Sequence, residues 1–392
     1  MIYLDNAATT RMADEAVEAM LPFLKENYGN PSAVHSMGAA AKKALNQARR
    51  ALASAIGAGQ EEIFFTAGGT ESDNWALKGA ACACRHKGRH IITSAIEHHA
   101  VLHTCRHLEK EGFEITYLKV DEDGLVDLEE LRRAIRPDTI LISVMYANNE
   151  IGTVEPIAEI GAMAREKGIL FHTDAVQAFG QVPLDVKDLK VDLLSASGHK
   201  LNGPKGVGFL YIRSGCGLDP LLHGGAQERN RRAGTENVPG IVGMAAAAQR
   251  AMDRMEEKTA KEERLREHLI SRIESEIPYC RLGGHRTKRL PGNVNFSFRF
   301  VEGESVLIML DMKGICASSG SACTSGALDP SHVLLAIGRS PQEARGSVRF
   351  TLSEDNTLEE INTTVDTLKE ILEKLRSMSS EYEEFLRKNG KV

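Results

Sequence analysis

The feature that most constrains this chain is an alternation. Between residues 63 and 212, short apolar, β-branched runs take turns with stretches whose apolar residues recur every three or four positions. Seven runs are candidate strands: Ile63–Thr66, Ile91–Ser94, Ile115–Val120, Ile140–Tyr146, Ile169–Thr173, Val191–Ser195 and Val207–Ile212. Several are almost continuously apolar, as strands covered on both faces require. Candidate helices lie between them at Glu71–Arg85, His98–Lys110, Asp127–Ile135 and Glu155–Lys167. This alternation predicts an α/β unit, with a mainly parallel sheet under helices on both faces. Such sheets place their sites at the carboxyl ends of the strands.

The pattern changes after about residue 245. The charged segment Arg250–Glu276 carries Leu265, Leu269, Ile273 and Ile277 four apart, and predicts one long amphipathic connecting helix. Asn293–Phe300 alternates with period 2, and Ser347–Leu352 predicts another strand. Ile361, Val365, Leu368, Leu372 and Leu375 share the face of a last helix, so this part predicts a smaller α+β unit.

Several classes are excluded by composition. The formal net charge of −6 argues against a general electrostatic nucleic-acid partner. No apolar run reaches the ~18 residues of a membrane helix. The N-terminus lacks a basic stretch followed by an apolar one, so no secretory signal is expected. Seven scattered cysteines, an odd number without C-x-x-C, argue against a disulfide framework and for a reducing, cytoplasmic setting.

Five constellations can carry chemistry. In Phe65-Thr66-Ala67-Gly68-Gly69-Thr70-Glu71-Ser72 a strand ends, two glycines follow and a helix begins. Glycines let backbone N–H groups approach an anion, and the helix N-terminus and the Thr70 hydroxyl add to a phosphate cup. The same segment also reads as a tight turn capped by Thr70. It matches neither G-x-x-x-x-G-K-[ST] nor G-x-G-x-x-G, which disfavours nucleoside triphosphates and dinucleotides. Asp174 directly follows an apolar strand, where it can pair with a buried cation such as a protonated pyridine nitrogen, or simply cap a helix. Lys200 lies in a polar turn before Gly203-Pro204. A partly desolvated lysine loses proton affinity from an unperturbed pKa of about 10.4 and can form a Schiff base. Lys205, between Pro204 and Gly206, reads as solvated. A phosphate cup, a carboxylate and a lysine at the strand ends of one sheet are the parts that pyridoxal phosphate uses.

The other two constellations involve Cys323 and a run of histidines. Cys323 sits in Ala317-Ser318-Ser319-Gly320-Ser321-Ala322-Cys323-Thr324-Ser325, where little can bury a thiol. It is a candidate nucleophile on a mobile loop, whereas Cys82 and Cys84, on an alanine-rich helix, are expected to be packed. His99, His103 and His107 fall four apart on one helical face, a spacing that permits a metal. They enclose no carboxylate, a solvated face is the expected reading, and no metal is assigned. His98, just after a strand, can face a cofactor as a stacking or acid–base group.

With these residues in view, the sequence resembles the cysteine desulfurases of the NifS/IscS type, within the fold-type I pyridoxal-phosphate enzymes. The matches begin at Tyr3-Leu4-Asp5-Asn6-Ala7-Ala8-Thr9-Thr10 and Gly29-Asn30-Pro31-Ser32-Ala33-Val34-His35. They continue through Gly69-Thr70-Glu71-Ser72-Asp73-Asn74, Glu97-His98, Asn148-Asn149-Glu150-Ile151-Gly152, Asp174-Ala175-Val176-Gln177 and Ser197-Gly198-His199-Lys200. Arg232-Ala233-Gly234-Thr235-Glu236-Asn237, Ser318-Ser319-Gly320-Ser321-Ala322-Cys323 and Val348-Arg349-Phe350 complete them. Ala67 and Gly69 depart slightly from the usual phosphate turn, and His103 and His107 fall outside the pattern.

The resemblance implies a seven-stranded, mainly parallel large domain over 16–255. Residues 1–15 and 256–392 would form the smaller α+β domain, which carries the cysteine loop at about 317–332. It implies that Lys200 holds the cofactor and moves the substrate Cα proton. Asp174 would pair with the ring nitrogen, Gln177 with the ring hydroxyl, and His98 would stack on the ring and shuttle protons. Gly69, Thr70, Ser197 and His199 would hold the phosphate, completed by Thr235 of a second subunit in a homodimer. Asn149 would serve cofactor and substrate, Arg349 would grip the substrate carboxylate, and Cys323 would accept the sulfur. The implied reaction converts L-cysteine to L-alanine and leaves a persulfide on Cys323, for delivery to an iron–sulfur scaffold or another acceptor protein. The alternatives are a selenocysteine lyase or an aminotransferase on the same scaffold, or a non-catalytic metal binder using the histidine face.

Overall fold

The computed structural model describes residues 1–320 and 330–389. Its strands are β1 (Ile2–Tyr3), β2 (Ile63–Thr66), β3 (His90–Ser94), β4 (Glu114–Leu118), β5 (Thr139–Ser143), β6 (Leu170–Asp174), β7 (Leu193–Ser197), β8 (Gly208–Ile212), β9 (Cys280–Gly283), β10 (Asn293–Phe298), β11 (Ile315–Cys316) and β12 (Ser347–Thr351). The first six helices are α1 (Asp14–Lys25), α2 (Ser36–Ser54), α3 (Gly69–Cys84), α4 (His99–Lys110), α5 (Leu128–Ala134) and α6 (Ile157–Lys167).

All seven candidate strands of the α/β unit form, in one sheet ordered β2-β8-β7-β6-β5-β3-β4. Pairs from β4 across to β7 are parallel, and β8 runs antiparallel to β2 and β7. β2, β3, β5, β7 and β8 are buried throughout, which explains their largely apolar runs, broken only by small or hydrogen-bonded polar residues. One apolar core lies on each face, the first gathering Phe171, Phe179 and Phe209, the second Phe64, Trp75 and Leu141.

Local chemistry sets the helix ends. The Nδ1 of His98 accepts the Ala100 N–H at 3.1 Å at the start of α4, and Asp127 does the same for Glu129 at 2.8 Å before α5. Gly168, at φ 66°, stops α6 in the left-handed region. On α3, Cys84 is buried but Cys82 is exposed, against expectation. Two residues are about 200° around a helix, so both thiols cannot face one core.

The expected single helix over Arg250–Glu276 is two, Val238–Asp253 and Met255–Glu276, broken at Arg254 (φ −110°, ψ 3°). The alanine-rich first helix packs against α1 and α2, and the charged second one against the smaller sheet. A straight rod cannot cover both. That smaller sheet is antiparallel, β12-β10-β9, with the Leu358–Ser377 helix over it. All six residues of β10 are buried, although its period suggested one wet face. The polar face instead turns to Ser347 and Glu150, with Asn295 Nδ2 donating to Ser347 Oγ at 3.2 Å. β1 pairs in parallel with β11, which joins the N-terminus to this part of the molecule.

Candidate active site

The carboxyl ends of β2, β6 and β7 open onto a cavity of about 640 Å³. β2 ends at Thr66, and the turn passes through Gly68 at φ 147°, a conformation that side chains rarely adopt. A Cβ on Gly69 would stand 2.5 Å from Val176 Cγ2, and one on Gly208 2.7 Å from Gly68 Cα. Glycine at these positions therefore lets the sheet edge and the turn close up. α3 starts here, so the positive end of a sixteen-residue helix faces the cavity beside Thr70, Ser197 and His199.

Lys200 ends a short 3-10 turn after β7. Its Nζ donates to the carbonyl of Ala8 at 2.9 Å and to that of Ala7. The N-terminal segment thus crosses the cavity, where Gln177 Nε2 also donates to Ala7 O at 3.1 Å. His199 Nδ1 meets Thr9 Oγ1 at 3.2 Å. Burial, with Lys200 and Lys205 adding to it, pulls the His199 imidazole down to about 4.

Asp174 ends β6, buried, with Oδ1 accepting the Val176 N–H at 2.9 Å. Desolvation pushes its carboxyl up to about 6, against the pull of Val176 and Lys200. His98 stands at the start of α4 and is brought down to about 4, chiefly by burial and then by Lys200. Beneath it Glu97 Oε1 accepts Ser94 Oγ–H at 2.6 Å and Met145 N–H at 2.9 Å.

Arg349 comes from β12 and is buried. Its Nη1 donates to Asn149 O at 2.8 Å and its Nη2 to Asp5 Oδ1 at 3.0 Å, while its Nε has no partner. The backbone of Arg349 also pairs with Ser318, at 3.1 and 2.6 Å. Gly320 follows and lines the cavity, so the described chain reaches the wall three residues before Cys323. Cys323 itself lies outside the described residues.

Gly69, Thr70, His98, Asn149 and Asp174 all line this cavity. So do Gln177, Ser197, His199, Lys200 and Arg349. Thr235 does not: it is exposed and belongs to a segment anchored elsewhere. Arg232 forms a bidentate pair with Glu71, at 2.8 and 3.0 Å, and Glu71 accepts the Ala67 N–H of the phosphate turn at 2.8 Å. Glu228 holds Arg49 at 2.6 and 2.8 Å and accepts the Phe65 N–H on the outer edge of β2 at 2.9 Å. His99 and His103 sit 5.0 Å apart, ring to ring, while His107 turns away to Glu111 at 3.2 Å. The three do not converge on one point.

Sequence reasoning assigned no role to Asp5, Asp73, Glu97 or His332. All four lie in segments that carry the family resemblance, His332 in Asp329-Pro330-Ser331-His332-Val333-Leu334 after the cysteine loop, yet their part depends on burial and on partners distant in sequence. His332 Nε2 meets the Glu97 carbonyl at 3.1 Å, and its ring lies 4.8 Å from that of His99.

The donor set fits pyridoxal 5′-phosphate. A glycine cradle at a helix N-terminus suits a phosphate dianion. A buried carboxyl whose proton affinity is raised by desolvation suits a cationic ring nitrogen, and a lysine amine lies within the same cavity. The sequence profile described as Aminotransferase class-V matches residues 2–363. The chain is 58% identical to a cysteine desulfurase IscS of Methanosarcina thermophila, over 96% of this chain and 93% of that one.

The chain belongs to the class-V aminotransferases, in their cysteine desulfurase branch.

Solved structures of this family superpose closely. A NifS-like protein matches with a TM-score of 0.90 and 40% identity, covering 95% of this chain and 99% of its own. SspA in complex with cysteine matches with a TM-score of 0.79 and 39% identity, over 91% and 100%.

Proposed function

We infer that this chain is a cysteine desulfurase, which takes the sulfur of L-cysteine, releases L-alanine and hands the sulfur on for iron–sulfur cluster assembly or another thio-cofactor. The observation that carries this is the meeting of Lys200, Asp174, His98 and the phosphate cup with Arg349 in one cavity, with Gly320 at its wall. Pyridoxal 5′-phosphate, when bound, supplies an electrophilic carbon for the substrate amine and a ring that takes up electron density from the substrate Cα.

Gly69, Thr70, Ser197 and His199 hold the phosphate. Asp174 faces the ring nitrogen as a carboxylate and favours its protonated form. Gln177 reaches the ring hydroxyl, and the His98 imidazole covers the ring and passes protons. Arg349, steadied by Asn149 and Asp5, has an unpaired Nε to offer the substrate carboxylate. The Lys200 amine takes the Cα proton and gives a proton back only as alanine forms. The Cys323 thiolate then attacks the substrate sulfur: an S–S bond forms, the Cβ–S bond breaks, and its electron pair stays on carbon to be protonated in alanine.

A homodimer supplies Thr235 to the partner's phosphate site. In support, α1 carries exposed Val17, Leu21 and Leu24 four and three apart, followed by exposed Tyr28 and Val34. That is an apolar stripe a second copy would cover. We assign residues 16–255 to cofactor binding and 1–15 with 256–392 to the part that presents Cys323. No described helix is long and apolar enough to cross a membrane, and a cytoplasmic setting suits a free thiol that must stay reduced.

The test is an absorption spectrum of the purified protein before and after L-cysteine, with alanine assayed in parallel. A visible band that shifts on adding cysteine, with alanine appearing, is expected. A band without alanine would point to an aminotransferase or another substrate.

A further inference from the structure

Behind Asp174 lies a second carboxyl that the reaction as described does not use. Asp73, in the first turns of α3, is fully buried and lines the cavity. One oxygen of Asp73, one of Asp174 and one nitrogen of His98 lie within 4.8 Å of one another. Asp73 Oδ1 has no hydrogen-bond partner, and its basic neighbour within 4 Å among the described residues is His172, at 3.7 Å. His172 cannot neutralise it. That ring sits between Ser143 Oγ at 2.9 Å and Ser195 Oγ at 3.0 Å, and burial brings it down to about 3.

The groups facing Asp73 are therefore Asp174 and His172 from β6, the Ser195 hydroxyl from β7, and Glu97 and His98 before α4. Two carboxylates this close and this dry do not both ionise. The two are not equivalent. Asp174 accepts a backbone N–H and feels Lys200, so it is the better place for a negative charge. Asp73 has a serine hydroxyl and an unmatched oxygen. Its proton affinity is raised well above the ordinary carboxyl value, first by desolvation and then by Asp174.

We propose that Asp73 is a positioning residue that holds the one proton of the Asp73–Asp174 pair, so that Asp174 alone carries the negative charge opposite the cofactor ring. This rests on the pyridoxal-phosphate reading. No proton is lost or gained in turnover at Asp73. The proton stays on it while Asp174 remains ionised, which keeps the ring nitrogen's charge balanced by one carboxylate rather than two.

The test compares holoenzymes of wild type, Asp73→Asn and Asp73→Ala. In the infrared difference between wild type and D73N at neutral pH, the stretch lost is expected to be that of a protonated carboxylic acid. Loss of carboxylate bands instead would overturn the proposal. D73N, a neutral mimic of the acid, is expected to retain the cofactor within about threefold of wild type, whereas D73A releases it about tenfold more readily, the scale of one buried polar group left unmatched. Equal loss in D73N and D73A would contradict it. Should D73N not fold, Ser195→Ala keeps both carboxyls and removes the hydroxyl beside Asp73. The acid band is then expected to shift, and an unmoved band counts against the proposal. Wild type that binds no pyridoxal phosphate would sink the cofactor reading instead, a separate outcome.

Discussion

Around this cavity, burial decides which side chains carry charge. His98 and His199 are kept neutral because their cationic forms lose hydration beside Lys200. Glu97 moves the other way, pushed up to about 8 by desolvation. The sign of its effect on stability follows. The folded carboxyl binds its proton more tightly than the unfolded one, whose ordinary value is 4.5, so its contribution is full below about 4.5 and is lost progressively as the pH rises to about 8. Glu97→Gln keeps an acceptor for Ser94 and Met145 and removes the titration. The urea midpoint of the variant is expected to fall less than that of wild type between about pH 5 and 8, and parallel curves would contradict this reading. Arg349→Lys loses the planar fork, so KM for L-cysteine should rise about tenfold or more with a smaller change in kcat. A KM unchanged in steady-state kinetics would remove Arg349 from substrate binding. Lys200, Asp174 and Thr70 were legible because each follows a strand-like run, where α/β sheets place their chemistry. Asp73 and Glu97 were not, since what marks them is an unpartnered oxygen in a dry interior, a property of packing.

At the scale of elements, the sequence named the seven strands and four crossover helices because each is a strong periodic signal between clear breaks. It missed what fastens β2. As an edge strand, β2 turns Ile63 C=O and Phe65 N–H outward. Arg49 and Arg229 cover the first at 2.6 and 2.7 Å, and Glu228 covers the second. To reach there, Glu228, Arg229 and Asn230 adopt φ of 44°, 59° and 63°, three left-handed residues without a glycine. No turn motif announces this, because the conformation is imposed by the buried ion pair. Glu228→Ala would leave Arg49 and the Phe65 N–H unmatched, and should cost about 3–5 kcal/mol by denaturant unfolding. A loss under about 1 kcal/mol would mean that the pair does not hold the strand. The broken helix at Arg254 was missed for a related reason. Periodicity reports which face is apolar, and here the two halves pack on different partners.

At the scale of the whole molecule, two sheets meet at one cavity. The large sheet fixes the phosphate cup, Asp174 and Lys200, and the smaller sheet brings Arg349 and the stem at Ser318–Gly320 to the same cavity. The N-terminal segment, through Asp5, Ala7 and Ala8, binds the two together. The exposed stripe on α1 and the outward position of Thr235 extend the argument to a second copy. Leu21→Glu with Leu24→Glu should give a monomer by sedimentation equilibrium, with weaker cofactor retention. A stable dimer would place the interface elsewhere. The central claim is that sulfur leaves L-cysteine for one named thiol. Intact-peptide mass spectrometry after brief exposure to L-cysteine tests it most directly. The account requires one added sulfur atom on the peptide containing Cys323, together with an equal amount of alanine. Alanine with no added sulfur there, or sulfur on another cysteine, would contradict it.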